Sequence, residues 1–155
     1  MAWYSGTYAC GHEGHVQLYG KTKEREWKKE REFSKLCPEC RQKQFEEERE
    51  RKNAEAAAKA AEMGLPQLTG SEKQVKWAAT LRQELIDEFG RLSDFKKRVL
   101  TKRYGITEKD IQRIKQYIIK TKTSAKYYID RRHQDIRDFI EEEKDGAIAY
   151  HKEVK

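Results

Sequence analysis

No stretch of the chain approaches the roughly 18 consecutive apolar residues that cross a membrane as a helix, and the N-terminal MAWYSGTYAC lacks the basic and apolar regions of a secretory signal. These two absences predict a soluble, cytoplasmic protein with no membrane partner. Cysteine is scarce, three in 155 residues, an odd number with two of them spaced C-x-x-C. That disfavours a disulfide framework and favours a metal site in a reducing compartment. Apolar residues are in short supply as well: 36% hydrophobic against 39% charged is lean for a single core and predicts small units with solvated helices or a linker. Catalytic signatures are missing too. The sequence has no H-E-x-x-H, no P-loop, no nucleophile elbow, and no His-x-Glu partnered with Pro-Cys-x-x-Cys. The chain is therefore read as a non-enzyme. The competing enzymatic reading, a zinc-dependent hydrolase or nuclease, needs an open metal position with activated water and a base such as Glu13 or Glu39.

What is present begins with YACGHEGHVQLYG, from Tyr8 to Gly20, and LCPEC, from Leu36 to Cys40. Zinc prefers four soft or borderline ligands in a tetrahedron, delivered as two short-spaced pairs from separate turns. Cys10, Cys37 and Cys40 supply three of these. The fourth is His12 or His15, and His12 is favoured because Cys10-Gly11-His12 resembles a zinc knuckle in which the longer imidazole makes up for one spacer residue. Four protein ligands leave no place for water, so the zinc is expected to be structural and to supply folding energy.

Along the chain, residues 1–40 read as a zinc-ribbon-like α+β unit. It has short strands around the cysteine clusters and an alternating Val16–Tyr19 run, then a helical TKEREWKKEREF with Thr22 as a candidate cap and Trp27 available to pack under the ribbon. Residues 41–63 form a charged helical spacer, polar nearly all round and laced with i,i+4 pairs, through which the chain could pair with a second copy. Residues 64–70 are the linker, and residues 71–155 a helical bundle. Within the bundle a capping box of Ser71 and Gln74 opens a helix that buries Val75, Ala78, Ala79, Leu81, Leu85, Ile86 and Phe89 and ends at Gly90. A second helix, from Ser93 to about Tyr104, buries Phe95, Val99 and Leu100 and stops at Gly105. A third begins at Thr107, with Ile106 stapled to Ile111. A single last helix from near Ser124 to Lys144 carries Ala125, Tyr128, Ile129, Ile136, Phe139 and Ile140 on one stripe. The expected class is mainly α, with a possible helix-turn-helix.

The formal charge of +7 is not spread evenly: residues 91–122 hold 11 Lys and Arg against 3 acids, a net +8, while every other segment lies within one charge of neutral. In that segment two helices meet at a glycine turn, the layout of a helix-turn-helix. The helix from Thr107 would then be the reader, with Lys109, Gln112, Arg113 and Gln116 toward base edges. Lys96, Lys97, Arg98, Lys102 and Arg103 would sit on phosphates.

GSEKQVKWAATLRQEL and TKTSAKYYIDRR, with TYACGHEG and FSKLCPEC, resemble segments of uncharacterised proteins of Gram-positive bacteria and their phages and plasmids. Ser71, Gln74, Trp77, Ser124, Ala125, Ile129 and Asp130 carry the helical part of the resemblance. Trp77 is read as packing beside Leu81. The resemblance covers most of the chain and implies an accessory role in a mobile element, with no activity attached. Two functions are compatible with these features. One is a nucleic-acid-binding accessory protein that grips phosphates. The other is a phage- or plasmid-encoded inhibitor whose basic face occupies an acidic surface of a host nucleoprotein complex.

Overall fold

Strand β1 (Ala2–Thr7) and strand β2 (Glu13–Leu18) form an antiparallel hairpin in which Ala2 pairs with Leu18 and Thr7 with Glu13. In this computed structural model, which describes residues 1–153, the hairpin tip is closed by Tyr8 N–H to His12 O at 2.9 Å and Gly11 N–H to Tyr8 O at 2.9 Å. The tip therefore holds three residues and needs one left-handed position, which Gly11 supplies with φ 81°. Behind the hairpin lies α1 (Thr22–Phe33), whose last residue is buried with its ring centroid 5.0 Å from that of Tyr8. Gly6 and Gly14 face each other across the strands; a Cβ on Gly6 would stand 2.7 Å from the Phe33 ring and one on Gly14 2.5 Å from that of Tyr8. Small residues here make the floor on which both rings lie.

Two expectations are corrected in this unit. Trp27 is 58% exposed and Phe33 takes the place under the strands. Thr22 is the first helical residue rather than the cap, and its hydroxyl accepts from Arg25 Nη2 at 3.1 Å. The long helix α2 (Pro38–Glu62) also begins earlier than its charge pattern suggests, so Cys40 lies within its first turn. Proline suits that opening position because its missing N–H has no helical partner there.

Contacts group the chain into two compact units, residues 1–51 and the chain from Lys52 onward, with the boundary inside α2. In the second unit the end of α2 is more than a solvated spacer: Ala56 is buried and Asn53 Oδ1 accepts from the Thr80 hydroxyl at 2.7 Å. Residues 64–70 likewise form a strap rather than a free linker. Thr69 N–H donates to Thr123 O at 2.8 Å, Ala125 N–H to Thr69 O at 2.9 Å, and Leu68 packs on the core.

The bundle comprises α3 (Glu72–Gly90), α4 (Asp94–Tyr104), α5 (Glu108–Thr121), α6 (Ala125–Asp130) and α7 (Ile136–Glu153). The Ser71–Gln74 capping box is formed, Thr107 and Asp110 make a second one, and the Ser93 hydroxyl accepts Lys96 N–H. Gly105 ends α4 at φ 64°, as its position after the last apolar contact predicts. Leu100, Ile106, Ile114, Ile118, Ile136 and Ile140 are fully buried, and each contributes roughly 2–3 kcal/mol by leaving water. α5 packs chiefly against α7, and α3 against α6.

The last helix is two helices, not one. Residues 131–135 interrupt it, and Asp135 restarts it by accepting Arg137 N–H at 2.9 Å while its carbonyl accepts Phe139 N–H. Phe95, expected inside, is 65% exposed, and Leu92 fills the core instead. Trp77 is 45% exposed, with the Arg132 guanidinium 5.6 Å from its ring centroid. Where α5 gives way to α6 and α7, Glu143 is buried and accepts the Tyr127 hydroxyl at 2.7 Å, with Lys122 Nζ 3.0 Å from its other oxygen. Burial pushes the Tyr127 phenol far above its usual range, so it remains a donor to that carboxylate.

Candidate metal centre and basic face

Three thiols and one imidazole converge where the hairpin tip meets the start of α2. The ligand atoms of Cys10, His12, Cys37 and Cys40 all lie within 4.8 Å of one another. His12 Nδ1 is 3.2 Å from Cys40 Sγ and 3.5 Å from Cys37 Sγ. Around a zinc ion with Zn–S of about 2.3 Å, tetrahedral ligand atoms stand roughly 3.5–3.8 Å apart, so closing the cluster on an ion needs shifts of about 1 Å. All three cysteines are free thiols. His15 is not part of the group: it lies on β2 opposite Ser5, whose hydroxyl oxygen is 2.9 Å from its Nδ1.

Local backbone chemistry aims these groups. The left-handed Gly11 folds the tip so that Cys10 and His12 point the same way, and Ala9 N–H to Lys35 O at 3.0 Å ties the tip to the segment carrying the second pair. Cys37 stands at the N-cap of α2: its carbonyl accepts Arg41 N–H at 2.9 Å and its sulfur accepts Cys40 N–H at 3.3 Å. Sulfur here takes the capping role of a serine oxygen, and the positive end of the helix faces the cysteine sulfurs. Cys37 N–H in turn donates to Cys10 Sγ at 3.3 Å.

That donor, followed by the backbone N–H of His12, lowers the Cys10 thiol to about 6. The Cys40 thiol is instead raised to about 11, first by its hydrogen bond with Cys37, then by burial and by the other sulfurs. Crowded thiols resist successive ionisation among themselves, and a bound cation reverses that order by supplying positive charge to all of them. The arrangement can hold a metal ion with four protein ligands.

The expected nucleic-acid residues lie on α4 and α5 in the second unit. Three of them are matched by acids: Lys96 with Glu88 at 3.7 Å, Lys97 with Glu108 at 2.7 Å, and Arg113 with Asp110 at 3.5 Å. The Glu108 carboxylate raises the Lys97 ammonium pKa through that hydrogen bond. Arg98, Lys102 and Lys109 are exposed and form no ion pair among the described residues; Arg103 is exposed with its guanidinium 5.3 Å from the Tyr104 ring centroid, and Gln112 and Gln116 face solvent. The basic surface is therefore smaller than the charge count of its segment implies.

Two features escape sequence reasoning. The Cys-Pro pair is itself a helix-start signal that could have placed the second ligand pair on a helix. Arg82 is 3% exposed inside the bundle, donates from Nη1 to Pro66 O at 2.8 Å, and has its pKa lowered by burial; its position on a helix of mixed polarity gives no hint of this. Compared with protein-family models, curated proteins and solved structures, the chain matches none.

Proposed function

We propose that the protein is a non-enzymatic, nucleic-acid-binding accessory protein of a mobile element, with a structural zinc ion in its first unit and a phosphate-gripping face on α4 and α5. One observation carries the nucleic-acid reading. Helices α4 and α5 hold nine Lys and Arg against three acids, a net +6 of the +8 in residues 91–122, and Arg98, Lys102 and Lys109 are exposed there without carboxylate partners among the described residues. Unpaired exposed cations attract a polyanion and release its counterions. Zinc is the metal that three thiolates and an imidazole suit, and a four-ligand site supplies stability rather than an activated water.

A fluorescence-anisotropy titration of labelled duplex and single-stranded DNA and RNA tests the reading. With three phosphate contacts, affinity should fall with a log–log salt slope of roughly −2 to −3, and Lys102→Gln should flatten that slope by about 1. Absence of binding to all four probes at low salt refutes it.

Phe95 favours a second reading. A phenyl ring 65% exposed beside Lys96 and Lys97 suits a protein surface better than a phosphate backbone. In that case the basic face docks on an acidic surface of a host nucleoprotein complex as an inhibitor. Phe95→Ser separates the two, since it leaves phosphate binding intact and weakens capture of a protein partner from nuclease-treated lysate.

A further inference from the structure

Within the second unit α5 and α7 leave a groove of about 270 Å³ between them. Its floor is apolar: Ile114 and Ala147 are buried there, and Ile148, 43% exposed, forms a wall. Its rim is cationic, with Arg113 from α5 and Lys144 and Lys152 from α7, and His151 lies beside them. Asp110, the one acid on the rim among the described residues, is already committed. One of its oxygens accepts the backbone N–H and hydroxyl of Thr107, and the other lies 3.5 Å from Arg113 Nη1.

Lys144 is half-buried and has no carboxylate partner among the described residues; its Nζ donates to Tyr104 O at 2.9 Å, which leaves two N–H donors. Lys152 is exposed and also has no acid partner among the described residues. His151 Nε2 donates to Arg113 O at 3.1 Å and so ties the end of α7 to α5 at the groove. A partly desolvated ammonium without a counter-ion, next to an apolar floor, is an arrangement that an amphiphilic anion would complete. The volume lies just below the usual 300–1,000 Å³ or so of small-molecule pockets, which suits one compact molecule.

We propose that this groove binds a small aromatic anion, its carboxylate or phosphate head held by Arg113, Lys144 and Lys152 and its ring laid on Ile148 and Ala147. The inference is independent of nucleic-acid binding, with which it shares only Arg113. NMR titrations of the full chain with 2-naphthoate, 1-naphthyl phosphate, neutral 2-naphthamide and inorganic phosphate test it. At least one naphthyl anion should shift the amide signals of Ile114, Ala147 and Ile148 saturably, and which of the two binds tighter identifies the preferred head. Naphthamide and inorganic phosphate should each bind about tenfold or more weakly, as expected for loss of one charge-assisted bond or of the apolar contact. Lys152→Gln, at an exposed position that the fold does not need, should weaken the anion about tenfold. The proposal is overturned if naphthamide or inorganic phosphate binds as tightly as the anions, if neither anion binds, or if Lys152→Gln leaves affinity unchanged.

Discussion

Among the described residues fourteen buried ones, from Ala78 to Ala147, make the principal core of the second unit; the corresponding cluster in the first consists of Tyr8, Phe33 and Cys37, with Tyr4, Val16, Cys10 and Cys40 packed against it. One unit thus has a large continuous apolar interior and the other a few aromatic and aliphatic side chains backed by its candidate ligands. Burial of that second kind does not offset the entropy of ordering residues 1–51, and small units of this sort are held by metal or disulfides. Since the cysteines form no disulfide, the proposed metal would act on folding in the first unit and not in the second.

Removing the metal is the largest test of that contrast. Structural zinc supplies an apparent 10–16 kcal/mol or so in small domains, so chelation should unfold the first unit and leave the second folded. Amide NMR should then lose the dispersed signals of β1 and β2 and keep those of Ile114 and Ile140. Cys37→Ser isolates the metal contribution, because serine keeps the capping acceptor for Cys40 N–H while removing a thiolate ligand. Metal content by elemental analysis should drop with the fold of the first unit. A variant that loses metal and retains its hairpin signals would break the comparison.

The converse belongs to the second unit. Ile118 is fully buried among the isoleucines that join α5 to the core, and Ile118→Ala should cost about 3–4 kcal/mol of that unit's stability. Denaturant unfolding followed by helical signal should shift accordingly. The thiolate-to-metal absorption of a cobalt-substituted sample, which reports the first unit, should be unchanged at denaturant concentrations below the new transition.

Two glycine substitutions sharpen the same contrast at smaller magnitude. Gly6→Ala drives a methyl into the Phe33 ring, 2.7 Å away, and should destabilise the first unit by about 1–3 kcal/mol. Gly90→Ala places a methyl in open space at the end of α3 with ordinary negative φ, and should stabilise the second by about 0.5–1 kcal/mol. Metal-competition titration reads the first and thermal unfolding the second.

The sequence discloses features that local chemistry fixes. The Ser71 and Thr107 caps, the left-handed Gly105 and the two clusters of Cys and His each depend on residues a few positions apart, and such signals survive whatever the rest of the chain does. It hides features settled by distant partners. The break between α6 and α7 is invisible to periodicity because Ile129 and Ile136 lie seven residues apart and stay on one stripe through it. Phe33 rather than Trp27 lies under the hairpin because Gly6 leaves room for its ring there, as Gly14 does for that of Tyr8, which neither glycine announces alone. The packed end of α2 rests on Ala56, a residue too small to mark a face. The charge count of residues 91–122 overstates the basic surface because Glu88 and Glu143, which pair with Lys96 and Lys122, lie outside that window, whereas Glu108 and Asp110 are already counted within it.

The smallest effect tests one of those local signals by pH. Asp110 closes the second capping box, and bonds from the Thr107 hydroxyl and then the Thr107 backbone N–H hold its carboxyl below the usual value of about 3.8, with Arg113 adding to the effect. A depressed folded-state pKa means that the unfolded chain takes up the proton first. The stabilisation is therefore complete above the unfolded value near 4 and fades as pH falls through the lower, folded one. Thr107→Val removes the hydroxyl donor and the cap acceptor together. It should move the Asp110 carboxyl, followed by NMR, back toward 3.8, and should cost the second unit about 1 kcal/mol near neutral pH. Because the variant's Asp110 protonates closer to the unfolded value, its stability should also depend less on pH between about 4 and 2 than that of the parent chain. An unchanged Asp110 titration would show that α5 is held by its apolar face alone, as the rest of the second unit is.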